Sequence, residues 1–195
     1  MRARRIICFL IGVWFGAGAL VVWLTGDNLR SVDQMLALPG IAASPQIRGM
    51  GAGAYDLFQY EAAERNRRMF KTWEWIQLAY GLGVFLFILF ASKEGRLPMT
   101  LVLVMLAVVA VQRLLFTPAL SAIGRDLDFA APGALPLQRQ EVRVIHIAYS
   151  ISEGFKWLAG LFLAGKMAFG RSRRSRDSRE ELNAIDKRYH RHVDR

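Results

Sequence analysis

The segment at residues 142–169 is long and apolar enough to cross a lipid bilayer, yet its first half carries side chains that can take part in chemistry. The polar side chains of interest are His146, Tyr149, Ser150, Glu153 and Lys156. Ionisable groups at membrane depth are unfavourable, so they usually face a protein interior and pair with groups on neighbouring helices. Because His146, Ser150 and Glu153 are spaced by four and then three residues, they are predicted to share one helix face.

Two other apolar segments carry polar residues at a comparable depth. These residues are Glu74, Gln77, Gln112 and Arg113. With a rise of about 1.5 Å per residue, they fall in the same outer third of the membrane as His146. Arg113 can pair with Glu74 or Glu153, and Lys156 can pair with Glu153 one turn away. The sequence therefore predicts a polar cavity or a buried polar network near one membrane face, closed below by apolar helix halves.

Two interpretations of this polar cluster remain open. In the first, the cluster is a structural network that fixes the register of the helices. In the second, it binds an anionic or polar ligand, or relays a proton. No catalytic residue, cofactor or metal site is predicted, because the chain shows no phosphate-binding glycine loop, no Ser-His-Asp arrangement and a single cysteine, Cys8. His190 and His192 are attributed to the solvated polar tail and not to a metal site.

The hydrophobic residues, 53% of the 195, lie in four blocks. We expect an all-α fold, an integral membrane four-helix bundle within residues 1–170, with a long extramembrane helical segment at residues 25–71. The crossings are expected at residues 6–24, 72–91, 99–117 and 144–168. Residues 171–195 are expected to be a basic cytoplasmic tail.

The first apolar block is interpreted as an uncleaved helix, because it is longer than the apolar core of a signal peptide. Gly12 and Gly16 in it are spaced for close approach of another helix. The sequence from Thr25 to Asn28 predicts the end of this helix and the start of a short amphipathic surface helix, which ends at Pro39.

The helical pattern of the second crossing extends back into the extramembrane segment without a breaker. Glu61 and Arg65, like Glu64 and Arg68, are four residues apart and are interpreted as a solvated charged face. Residues 121–140, which contain glycines and prolines, are predicted to be a loop.

The net charge of +10 is explained by membrane topology and anionic lipid headgroups near the tail, so no nucleic-acid partner is expected. Fifteen Lys and Arg residues lie on the side of the two termini and nine on the other. This excess places both termini in the cytoplasm, and the protein in the inner membrane if the source is bacterial. The basic cluster at residues 65–71 argues for the opposite orientation.

Three stretches of the chain are similar to a known family: FLIGVWFGAGAL at residues 9–20, QRLLFTPAL at 112–120 and VIHIAYSISEGFKWLAGL at 144–161. They resemble the DUF4149 family of four-helix membrane proteins, which is related to the transmembrane protein 205-like group. The number and order of the expected crossings also fit. The resemblance implies no known reaction, and it points to Arg113, Pro118 and His146 as positions to test.

The sequence favours a non-enzymatic scaffold or an accessory subunit of a membrane complex, with other membrane subunits or a second copy as partners. The alternative is a small transporter or ligand-binding membrane protein that uses the polar cluster. A membrane enzyme acting on a lipid or quinone, with His146 or Glu153 as acid or base, is a third hypothesis.

Overall fold

A computed structural model describes residues 2–91, 95–130 and 135–170 of the chain. The predictions for the basic tail, including its histidines, lie outside these residues. The described part is almost wholly helical and contains no strand. Its elements are α1 (Arg2–Ala37), α2 (Pro39–Ala42), α3 (Pro45–Met50), α4 (Ala52–Ala91), α5 (Arg96–Val111), a π-helical turn (Gln112–Phe116), α6 (Thr117–Asp128) and α7 (Pro136–Phe169).

Three stretches of the described residues are long and apolar enough to cross a membrane. They are Ala3–Ala37, Gly53–Ala91 and Arg96–Asp128. The all-helical class and the presence of membrane-spanning helices thus agree with the sequence. The segment predicted as the fourth crossing is the single helix α7, which is not among these three stretches.

The first helix does not stop at Thr25, so this prediction is wrong. The Thr25 hydroxyl donates to the carbonyl oxygens of Val21 and Val22, at 3.0 and 2.8 Å, and so bonds within the helix instead of capping a new one. The amide of Asn66 on α4 donates to the Thr25 carbonyl oxygen at 3.0 Å, and Asn28 Nδ2 donates to Asn66 Oδ1 at 2.9 Å. This packing on α4 outweighs the weak helix propensity of the segment, and α1 continues to Ala37.

The predicted loop at residues 121–140 is also wrong at both of its ends, since α6 continues to Asp128 and α7 begins at Pro136. A proline inside an α-helix clashes with the carbonyl four residues before it and lacks an N–H. Here a π-helical turn precedes Pro118, and the Thr117 N–H donates to the carbonyl oxygen of Gln112, five residues back. The wider turn accommodates the proline without ending the helix. The second crossing does continue a long helix, as predicted, because α4 begins at Ala52.

The apolar core lies in the half of the molecule that contains the start of α1 and the end of α7. Helices α1 and α5 both contact α4 and α7. The core residues are Ile7, Ile11, Trp14, Val84, Ile88, Val102, Met105, Val109, Leu163 and Met167. On α4, on α7 and at the π-helical turn after α5, the polar residues of the predicted cluster lie farther from this end of the molecule than the core residues do. The apolar core therefore closes the molecule below the cluster.

Close helix contact in this core depends on glycine at two positions. A Cβ on Gly160 of α7 would lie 2.4 Å from Phe15 Cζ. Phe15 is stacked on Trp157, with ring centroids 5.1 Å apart, so its ring has little room to move. A Cβ on Gly81 of α4 would lie 2.6 Å from the Trp14 ring. Both sites therefore require a residue without a side chain.

Gly81→Ala is expected to lower the free energy of unfolding by about 1–3 kcal/mol, because the new methyl group overpacks the core. Trp14 cannot retreat without losing its Nε1 hydrogen bond to Gln77. Gly83→Ala is the matched control, since no atom lies within 4 Å of a Cβ there. Thermal unfolding followed by circular dichroism in one detergent compares both variants with the wild type. Equal unfolding temperatures for Gly81→Ala and Gly83→Ala would contradict this account of the packing.

Candidate functional site

Lys156 is the centre of a buried polar layer above the apolar core. Its side chain is 1% exposed. Its Nζ atom donates to Gln77 Oε1 at 2.5 Å and to Glu153 Oε2 at 2.7 Å. A lysine on α7 is thus bonded to an amide on α4 and to a carboxylate one turn away on its own helix. This arrangement meets the requirement that a buried charge be paired and hydrogen-bonded.

Side chains from α1 and from the π-helical turn join the layer through further hydrogen bonds. From α1, Trp14 Nε1 donates to Gln77 Oε1 at 3.0 Å. From the π-helical turn, Gln112 Nε2 donates to Ser152 Oγ at 2.9 Å and to Glu153 Oε2 at 3.1 Å. Glu153 Oε1 accepts a further bond from Trp157 Nε1 at 2.9 Å. Side chains from every long helix therefore meet at one level.

Glu74 lies beside this layer and is fully buried. Its Oε1 atom accepts a hydrogen bond from the Thr117 hydroxyl, and its Oε2 atom lies 3.8 Å from Arg113 Nη1. Arg113 is part-exposed, and its guanidinium lies 5.1 Å from the centroid of the Trp75 ring. Glu74 Oε2, Gln77 Nε2 and Gln112 Oε1 are buried without a hydrogen-bond partner among the described residues.

A cavity of about 510 Å³ lies directly above the polar layer, between α1, α4, α6 and α7. Its apolar walls include Val22, Leu29, Phe70 and Leu120. The polar residues at its surface include Asn66, Arg67, Thr117, Ser121, His146, Tyr149, Ser150 and Glu153. The sequence predicted a polar cavity or a buried polar network at this level. The structure contains a buried network, and the cavity above it has mostly apolar walls.

The polar residues at the start of α7 border the cavity and do not enter the buried layer. His146 and Ser150 are exposed, and the Ser150 hydroxyl donates to the His146 carbonyl oxygen at 2.8 Å. The Tyr149 ring lies near two aromatic rings, with centroids 6.1 Å from Phe70 and 6.4 Å from Phe116. The predicted set therefore divides into a buried group around Lys156 and a cavity-lining group around His146. Arg113 belongs to neither group, since it is part-exposed beside Trp75 and does not line the cavity.

An ion-pair cluster links α4 to α6 at the edge of the cavity. Glu64 Oε1 lies 3.0 Å from Arg125 Nη2, and Glu64 Oε2 lies 3.2 Å from Arg67 Nη1. Arg67 Nη2 lies 2.7 Å from Asp128 Oδ2. The interpretation of Glu64 as part of a solvated face is therefore wrong, because its side chain is only 13% exposed. The sequence predicted a loop where α6 carries Arg125 and Asp128, so these partners were missed.

The hydrogen bond from Arg125 lowers the pKa of the Glu64 carboxyl from 4.5 to about 2; burial opposes this effect, and Arg67 adds to it. Glu64 precedes residue 72, where the second crossing is predicted to begin. Because the folded-state pKa is the lower one, the carboxylate stabilises the fold above about pH 4.5, and this stabilisation is lost as the pH falls toward 2.

Glu64→Gln is therefore expected to destabilise the protein at neutral pH and to flatten the pH dependence of its unfolding temperature between pH 4.5 and about 2. The control is Glu61→Gln on the same helix, whose carboxylate is 63% exposed and lies 3.7 Å from Arg65. Melting curves across this pH range test the expectation. A wild-type pH dependence in Glu64→Gln would show that the cluster contributes nothing to the fold.

Several residues of the site were not predicted. Trp14 was assigned only to an apolar block. A buried indole N–H needs a hydrogen-bond acceptor, and this requirement was the signal that could have identified Trp14. Thr117 was interpreted as the end of a helix because Pro118 follows it. Asn66 and Arg67 were assigned to a solvated segment. Their roles depend on α1 and α6 extending beyond the lengths that their sequences predict.

Among the described residues, no group of three or more His, Cys, Asp or Glu side chains is placed to hold a metal ion. Comparison with protein families, curated proteins and solved structures finds no match to this chain.

Lys156→Met is expected to lower the free energy of unfolding by about 1–3 kcal/mol, because it leaves the part-buried Glu153 carboxylate without its cation. The double variant Lys156→Met/Glu153→Gln is expected to recover part of this loss, since it removes the unpaired charge as well. Arg65→Met, at a 64% exposed side chain, is the control and is expected to change little. Thermal unfolding of the wild type and the three variants measures these differences in stability. A double variant less stable than Lys156→Met would contradict the pairing.

Proposed function

We propose that this chain is a four-helix integral membrane protein that binds an amphipathic molecule in the cavity above its polar layer. The observation that carries the proposal is the cavity itself. Its volume of about 510 Å³ falls within the roughly 300–1,000 Å³ typical of ligand sites. Mostly apolar walls with a few convergent polar groups are also typical of such sites. The walls suit an apolar chain, and the polar residues suit a head group.

The exposed face of α7 supports a fourth crossing. Its large exposed apolar side chains include Ile147, Ile151, Phe155, Leu158 and Phe162, at intervals of three and four residues. This spacing forms one apolar stripe that suits lipid. Lys156 and Glu153 point to the interior and are paired there, which lowers the cost of placing them in a membrane.

The polar layer supports binding and not covalent chemistry. Glu153 accepts hydrogen bonds from Lys156, Gln112 and Trp157. The side-chain amide of Asn66 bonds to α1 twice, since its oxygen accepts from Asn28 and its nitrogen donates to the Thr25 carbonyl oxygen. Such bonds hold the helices in register and form a rigid floor for the cavity. The structural and the ligand-binding interpretations of the cluster are thus compatible in one molecule.

A second candidate is the scaffold or accessory subunit of a membrane complex. Helices α1 and α4 have 36 and 40 residues, or roughly 54 and 60 Å, whereas the apolar core of a bilayer is about 30 Å thick. Their paired extensions would stand outside the membrane and expose the apolar side chains of Met35, Leu38 and Leu57. A protein partner is the kind of molecule that covers such a surface.

The proposal includes the orientation and the family. The excess of Lys and Arg on the side of the chain ends favours cytoplasmic termini and a cytoplasmic membrane. The similar stretches at residues 9–20, 112–120 and 144–161 favour membership of the DUF4149 family. Anionic lipid headgroups are proposed to bind the basic tail.

Native mass spectrometry after mild extraction from the source membrane tests the proposal. The wild type is expected to carry a bound small molecule. Gly26→Trp places a large side chain at the cavity wall, and no atom lies within 4 Å of a Cβ at this position. It is expected to reduce the bound fraction about tenfold, which corresponds to about 1.4 kcal/mol. Gly16→Trp, on the same helix and equally open, does not line the cavity and is the matched control.

The outcomes separate the two candidates. A molecule retained by Gly16→Trp and lost from Gly26→Trp supports the cavity. A molecule retained by both variants contradicts it. Additional protein chains on a wild type that carries no small molecule would favour the accessory subunit, and truncation of the paired extension would then release them.

A further inference from the structure

The charged residues around the cavity are already neutralised by charges from the protein. Arg67 lies within 3.2 Å of the Glu64 carboxylate and within 2.7 Å of the Asp128 carboxylate. Glu153 lies 2.7 Å from Lys156 Nζ, and both of its oxygens accept hydrogen bonds. Among the described residues, no charge that lines the cavity is therefore left to serve as the counter-ion of a charged ligand.

The remaining polar residues of the cavity are uncharged or solvated. Tyr149 and Ser121 supply hydroxyl groups, and His146 supplies an imidazole at an exposed position. Hydroxyl and imidazole groups both donate and accept hydrogen bonds, so they suit the hydroxyl or carbonyl oxygen of a neutral head group. A charged head group in the same place would lose water without gaining a counter-ion, which is strongly unfavourable.

We infer that the ligand is an uncharged lipid, with an apolar chain against Val22, Leu29 and Phe70 and a hydroxyl or carbonyl head group near Tyr149 and Ser121. This inference rests on the proposed function, since it specifies the occupant of the same cavity. It narrows the ligand class from the anionic or polar molecules that the sequence allows to neutral amphiphiles.

Three probes of equal chain length test the inference. They are dodecanol, dodecyl phosphate and dodecyltrimethylammonium, which carry a neutral, an anionic and a cationic head group. Each is added at the same concentration to the full chain in lipid nanodiscs at neutral pH, and the bound fraction is measured by native mass spectrometry. Binding to Gly26→Trp is subtracted for every probe, so that partition into lipid and binding elsewhere cancel. Gly16→Trp serves as the control for the substitution.

Dodecanol is expected to bind the cavity at least about tenfold more tightly than either charged probe. Equal or tighter cavity binding of a charged probe would overturn the inference and leave the proposed function standing. If no probe binds more to the wild type than to Gly26→Trp, both the inference and the proposed function fail. A Ser121→Ala/Tyr149→Phe variant adds a second measurement. Loss of the preference for dodecanol in that variant supports these hydroxyls as the head-group site, and an unchanged preference overturns that placement.

Discussion

The burial of Lys156 is the constraint on which the rest of the structure depends. An ammonium group that is 1% exposed must have its donors satisfied inside the protein. Glu153 alone does not suffice, so Gln77 is drawn against the same nitrogen atom, and Gln77 in turn fixes Trp14. A single cation thus sets the relative positions of α7, α4 and α1. Membrane helices lack a strong hydrophobic drive to associate with one another, so polar contacts of this kind are well suited to set their register.

Packing in the apolar half follows from this register. Trp14 is held by its bond to Gln77, and its ring occupies the space that a side chain at position 81 would fill. In the same way, the Phe15 ring occupies the space that a side chain at position 160 would fill. Above the polar layer the helices are held differently, by the Asn28–Asn66 bond and by the ion pairs of Glu64. The cavity is the space between these two sets of contacts. Lys156 therefore marks the boundary between the tightly packed apolar core and the cavity.

The sequence was sufficient to predict what depends on composition and helix periodicity. The helical class, the apolar segments and the pairing of Lys156 with Glu153 all follow from residue type and spacing. The sequence was not sufficient where a distant contact or an irregular turn determines whether a helix continues. Thr25 and Gly26 are typical of a helix end, and only the bond from Asn66 shows why α1 continues. Pro118 is typical of a helix end as well, and the π-helical turn that accommodates it has no reliable signal in a single sequence.

These two failures have different physical origins and one consequence. At Thr25 and Gly26 the local propensities cost less than about 1 kcal/mol per residue, so contacts with α4 override them. At Pro118 the wider π-helical turn removes the clash that would end the helix. In both places a helix extends beyond the predicted border, and in both places the extension supplies a wall of the cavity. Leu29 lines the cavity from the continuation of α1, and Leu120 lines it from α6. The cavity was therefore the part of the site least accessible to sequence reasoning. The buried layer was the most accessible, because an ionisable residue in an apolar segment indicates by itself that partners must be near.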